Sequence, residues 1–225
     1  MSIACHCRIL AAALAAVVAS ALIFPVPSLA QDQAPNARLL VSARNADAGG
    51  VERALRDGAA INSRNRLGES ALLITLRRNQ PALALTLINA GADVNQPALD
   101  GVTPLMAAAF SGQSSLVVVL LDKGANVNAV DRLLKNAMTY AAGEGHADIV
   151  RLLLQRGVDP NAVYTNDLTA LMWAAGFGKT ATVKVLLDGG ARADLKDNRG
   201  KTALDIAREQ KHDATAKLLE GAGKG

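Results

Sequence analysis

Thr103-Pro104-Leu105-Met106-Ala107-Ala108, followed by Gly112 and then by Gly124-Ala125-Asn126-Val127-Asn128, decides the fold, because its landmarks return every 33 residues. Gly58, Gly91, Gly124, Gly157 and Gly190 keep that interval, as do Ser70, Thr103, Asn136, Thr169 and Thr202. An apolar column follows the same clock through Leu39, Leu72, Leu105, Met138, Leu171 and Leu204. A column of small residues runs through Ser42, Thr75, Ala108, Ala141, Ala174 and Ala207. No insertion breaks the register from Ala37 to the last unit. A fixed period of this length implies stacked units, each too small to bury its own apolar side.

The chemistry of one unit explains the columns. The Thr103 hydroxyl can cap a helix whose first position, Pro104, has no hydrogen bond to lose. Leu105, Ala108 and Ala109 then make one apolar face, and the alanines let neighbouring backbones approach. Gly112 turns the chain into a second helix carrying Leu116, Val117, Leu120 and Leu121, repeated as Ile149, Val150, Leu153 and Leu154. Gly124 ends that helix in the left-handed conformation that glycine adopts at least cost. Asp93-Val94-Asn95, Asn126-Val127-Asn128 and Asp159-Pro160-Asn161 supply turn residues for a projecting loop.

Thr103-Pro104-Leu105-Met106-Ala107-Ala108, Gly145-His146 and Gly91-Ala92-Asp93-Val94-Asn95 resemble the ankyrin-repeat family at its most diagnostic points, over about residues 34–223. The resemblance implies an all-α repeat solenoid of stacked helix–turn–helix–β-hairpin units of 33 residues. Six units are expected, at about 34–66, 67–99, 100–132, 133–165, 166–198 and 199–225, within a repeat domain spanning 37–225. The outer two read as caps. Glu220 and Arg208 replace apolar or small residues in the last, while Ala46, Gly49 and Gly50 should weaken the turn and second helix of the first. Leu134 and Asp167 stand where Gly68, Gly101 and Gly200 mark the hairpins, and Asn136-Ala137 replaces Thr-Pro. The fourth unit should therefore have an altered tip and lower local stability.

Residues 1–30 read as a secretory signal peptide, with 31–36 as a linker. Arg8 precedes an apolar run from Ile9 to Phe24, broken by Pro25 and Pro27, and Ser28-Leu29-Ala30 offers a small-x-small exit. The run falls short of the ~20 residues that span a bilayer, so no membrane insertion is expected after processing. Cys5 and Cys7, the only cysteines, lie inside this segment, so the mature chain should carry no disulfide. The expected location is the periplasm, with extracellular release as the alternative.

Composition narrows the function. The formal charge of +4 is mild, and processing would remove one positive charge of it. A dedicated nucleic-acid binder concentrates more basic residues on one face. Aromatics are 3 % of the chain, so the core must be alanine, leucine and valine. There is no paired acid, base and nucleophile, no phosphate loop and no metal-ligand spacing. His146 and His212 stand two units apart at positions that resemble a structural histidine at the second helix start. No catalytic residue, metal or cofactor is expected, and the chain should be a monomer.

The family resemblance places a partner protein on the concave side, against hairpin tips and first helices. Carried over position by position, that surface comprises Arg66, Leu67, Arg77, Arg78, Leu99, Val102, Phe110, Val130, Arg132, Leu133, Val163, Leu168 and Phe177. An apolar strip rimmed by arginine is what a protein interface looks like. The same residues could instead pack against neighbouring hairpins, and the sequence leaves both readings open. If the strip binds, Phe110 and Phe177 are the anchors and Arg66, Arg77 and Arg132 orient the partner. Charge reversal at Arg77 and Arg78 should then weaken binding without unfolding the chain. Tyr140 and Trp173 read as packing between repeats. The function expected is a non-catalytic interaction module binding an exported partner, or alternatively an effector binding a host protein by the same surface.

Overall fold

The computed structural model describes residues 34–222, so the signal-peptide reading lies outside the described residues. Twelve α-helices follow in pairs: α1 (Pro35–Arg44), α2 (Ala48–Arg56), α3 (Ala71–Arg77), α4 (Pro81–Asn89), α5 (Pro104–Phe110) and α6 (Ser114–Asp122). They continue as α7 (Ala137–Glu144), α8 (Ala147–Gln155), α9 (Ala170–Gly176), α10 (Thr180–Asp188), α11 (Ala203–Glu209) and α12 (Asp213–Ala222). First helices pack on first helices, α1 on α3 through α9 on α11, and α6, α8, α10 and α12 form a parallel row behind them. The result is an all-α repeat solenoid of six pairs. The expected β-hairpins are reduced to tight turns. Among the described residues the only bridges are Arg64 to Ser70 and Val163 to Thr169, because each turn closes after one or two hydrogen bonds.

The capping column works as its chemistry requires. Ser70, Thr103, Asn136, Thr169 and Thr202 each accept a hydrogen bond from the amide three residues on, at 3.0–3.3 Å. Leucine, valine, isoleucine, methionine and alanine fill the core. None of the five aromatic residues in the described region is in it.

Repeats are tied by polar rungs as well as by apolar packing. Gln113 donates to the Leu76 carbonyl at 2.9 Å, and the His146 and His212 Nε2 groups donate to the Phe110 and Gly176 carbonyls at 3.0 and 3.1 Å. The histidine rungs satisfy carbonyls left without a backbone donor at the ends of the preceding units' first helices, whereas the Leu76 carbonyl also accepts the Asn79 amide at 3.1 Å. Asn62, Asn95 and Asn161 accept from the amides of Asp93, Asn126 and Arg192 in the following units. These asparagines therefore bridge repeats and do not merely shape the loop.

Two expectations about irregular units need correction. The first unit's second helix runs a full nine residues despite Gly49 and Gly50. Asp47 caps it at the Gly50 amide (2.8 Å), and a Cβ at Gly50 would lie only 2.2 Å from the Asp47 carboxylate. The fourth unit's tip is not altered. Leu134 adopts the same left-handed turn as its glycine counterparts, with φ 57°, because Asp131 accepts from the Leu133 and Lys135 amides and locks it. Asn136 replaces the threonine cap and is held in turn by Thr139 and Tyr164. The irregular tip is the next one, a 3-10 turn at Thr165–Asp167 with Asn166 and Asp167 both at positive φ. There Tyr164 occupies the position of Asn65, Asp131 and Asp197, so no side-chain carboxylate or amide closes the turn. In the last unit the two unusual residues pair with each other, Arg208 to Glu220 at 2.6 Å, giving the outer end of the solenoid a polar surface.

Candidate protein-binding face

Each tip is bonded to the next through its backbone. The Leu99 amide donates to Leu67 (2.9 Å), Arg132 to Asp100 (3.0 Å) and Asn198 to Asn166 (3.1 Å), while the Thr165 hydroxyl donates to the Leu133 carbonyl. These bonds tie successive tips into a continuous ridge. Leu67, Leu99, Leu133, Val163, Phe110 and Phe177 are 51–60 % exposed, so they do not pack away against neighbouring turns. Val130 is also exposed, and Val102 and Leu168 are half-buried.

The thirteen residues do not, however, form one strip. Along the extended arm of a turn, side chains alternate sides. Asp131 and Lys135 point over the first helices, since the Tyr140 hydroxyl donates to Asp131 at 2.6 Å and the Lys135 ammonium lies 5.8 Å from the Tyr140 ring centre. Val130 and its counterpart Val163, one residue earlier in their turns, are exposed but line neither of the two clefts over the first helices. Leu67, Leu99 and Leu133 crown the tips, joined by Leu134, which the sequence reading passed over. Of the thirteen, Val102, Phe110, Leu168 and Phe177, with Arg77, line those clefts. The separation follows from backbone alternation, which a column of sequence positions conceals.

Arg77 is not an orienting charge held out to solvent. Its guanidinium bonds Glu69 at 2.8 Å and Asp100 at 2.6 Å, tying the tip of one unit to the tip of the next. Burial alone would raise the Asp100 carboxyl, but the Val102 amide and Arg77 outweigh it and hold it below its ordinary value. Reversing the charge at Arg77 would set three carboxylates against one another, so it cannot probe binding without disturbing the fold. Arg78, beside it, is exposed and has no ionic partner among the described residues, as do Arg66 and Arg132.

Two clefts on this face are related by a shift of two repeats, and a third recess, lined by Asn166, Leu168, Asp197, Asn198 and Arg199, lies at the tips beside the second. The first, about 290 Å³, is floored by Met106 and Ala107 and walled by Val102, Phe110 and Tyr140, with Arg77 and Asp100 on its rim. The second, about 310 Å³, uses Met172, Trp173, Leu168 and Ile206, with Arg199 on its rim. At the register between them the space is closed. Tyr140 stands where the first cleft has Ala107, and Lys135 lies 4.4 Å from the centre of the Trp173 ring. Phe177 stacks on Trp173 at 6.0 Å and 13°, over Gly143. Phe110 meets Tyr140 edge-on at 5.9 Å. Burial, and then the bond to Asp131, push the Tyr140 phenol above its ordinary range, so it stays a donor at any physiological pH. Tyr140 and Trp173 pack between repeats as expected and also wall the clefts.

The last unit contributes more than a cap, since Arg199, Ile206 and Gln210 line the second cleft. A signal that could have pointed to the second cleft is the recurrence of an apolar residue four before a methionine, as Val102/Met106 and Leu168/Met172, sixty-six residues apart.

The family model described as ankyrin repeats, in three copies, matches residues 39–131, 81–164 and 138–224. No curated protein matches the chain. Among the described residues no helix is long and apolar enough to cross a membrane.

Proposed function

This chain belongs to the ankyrin-repeat family, and from that premise we propose that it is a non-catalytic binding module that docks one exported protein on its tip-and-first-helix face. Ankyrin repeats are in general protein–protein interaction modules. The observation that carries the reading here is the placement of the aromatic residues. The core is complete without them, and Phe110, Tyr140, Trp173 and Phe177 gather on one face of the first helices. Large, rigid side chains held outside a core are the usual anchors of a protein interface.

The leader-like residues 1–30 support a periplasmic setting, in which the mature chain begins at Gln31. Co-purification from a periplasmic extract tests the proposal. The wild-type chain should retain one partner in fixed ratio, and Phe110→Asp should lose it while keeping the helical circular-dichroism spectrum. Phe110 is half exposed and ends α5, so its replacement leaves the core intact. Undiminished retention by Phe110→Asp would remove this face from consideration.

A further inference from the structure

We propose that the partner segment is an extended acidic stretch carrying two bulky apolar side chains, one for each cleft, spaced to bridge two repeats. This rests on the docking reading above and names the chemistry of what docks. Each cleft sits at the lower end of the volumes that hold small molecules, the size for one large side chain and not for a cofactor. Their polarisable methionine floors, Met106 and Met172, accept aromatic or branched side chains alike.

Spacing comes from the fold. Neighbouring repeats stack at roughly 10 Å, so the clefts lie about 20 Å apart. An extended chain covers that in about six residues, and because its side chains alternate, residues i and i+6 face the same way. An α-helix would instead present side chains every third or fourth residue along its contact face, and would need recesses between the clefts. The intermediate register offers none, being filled by Tyr140, Lys135 and Phe177.

Charge sets the rest of the segment. The exposed guanidiniums of Arg66 and Arg132 have no ionic partner among the described residues. Arg199 faces outward while the side chain of its partner Asp197 is only 1 % exposed. Lys135 lies between the clefts, over two aromatic rings and with no ionic partner among the described residues. Of the exposed carboxylates nearby, Asp100 is engaged by Arg77, leaving Asp167 and Glu144 in the minority. Carboxylates at i+2 and i+4 of a bound strand would reach the unit bearing Arg132 and Lys135.

Panning a phage-displayed random dodecapeptide library on the purified chain tests this without presuming a partner. The enriched peptides should share two bulky apolar residues about six apart, with Asp or Glu between them. Trp173, the only tryptophan, walls the second cleft, so its emission should change saturably as a selected peptide is titrated. Deleting either anchor should weaken binding at least tenfold, since the second contact is made at high effective concentration. The double variant Arg132→Gln, Lys135→Met should cost several-fold and remove most of the salt dependence. A basic consensus, a single anchor, helical spacing, an unchanged Trp173 signal or an empty selection would each overturn the proposal. If Phe110→Asp abolishes retention of the natural partner while the selected peptides are not acidic, only this inference fails. If Phe110→Asp retains the partner, the docking reading fails with it.

Discussion

Replacing Arg77 by alanine should destabilise the second and third units far more than its position at an exposed helix end suggests. The guanidinium makes two ionic hydrogen bonds of unequal worth. Glu69, at 2.8 Å, has a side chain only 11 % exposed, and without Arg77 its carboxylate keeps just the Asn65 amide. Losing a hydrogen bond to a largely buried charge costs about 1.5–3 kcal/mol. Asp100, at 2.6 Å, is 52 % exposed, and such a solvent-screened pair contributes ~0–1 kcal/mol. The sum is about 1.5–4 kcal/mol, which for a chain of this length lowers the melting temperature by roughly 3–16 °C. Arg78→Ala, one residue on and unpaired, should stay within about 0.5 kcal/mol of wild type. Chemical denaturation followed by circular dichroism separates the two variants. Adding Glu69→Gln to Arg77→Ala should recover part of the loss, because the stranded charge is gone, whereas Asp100→Asn should recover little. In 1 M salt the Asp100 contribution should fade while that of Glu69 persists. If Arg77→Ala matched Arg78→Ala, the double bridge would hold nothing together, and Arg77 would return to the set of free binding charges.

Glu220→Leu combined with Arg208→Ala restores the residue types of the internal units and strips the polar surface from the outer end. Light scattering should then show concentration-dependent association, and a strictly monomeric double variant would mean the pair does not act as a cap. Acid should loosen the last unit early. At Asp205 the Thr202 amide and hydroxyl lower the carboxyl; at Asp197 burial opposes, but the Lys201 and Arg199 contacts prevail. Both sit below 3.8 when folded, so their contribution is complete above that value and is lost as pH falls through the folded ones. Amide exchange should therefore rise in 197–222 below about pH 4, and uniform protection across all units down to pH 2 would contradict this. His146→Ala removes the bond to the Phe110 carbonyl and should cost about 1 kcal/mol, measurable by urea denaturation; no loss would show the carbonyl is served by water. Intact-mass measurement on the exported protein should give a chain starting at Gln31, and one retaining Met1 would end the periplasmic proposal.

What the amino-acid sequence decided alone was everything set by short-range physics. A threonine cap, an alanine face, a leucine row and a glycine exit each act within one turn or one repeat, so they recur at intervals of 33 residues and disclose the all-α repeat solenoid. Even the misjudged Leu134 turn was local, its strain relieved by Asp131 three residues before it. The interface behaved otherwise. Whether Arg77 is free depends on Asp100, twenty-three residues away in the next tip. Which side Val130 faces depends on the alternation of the turn against its neighbours. That Met106 and Met172 floor equivalent clefts, with Lys135 and Phe177 closing the register between, depends on side chains of three repeats meeting in space. Such contacts are made between units, where the stacking distance and the direction of each side chain set the partner, and neither is written in the spacing of one column.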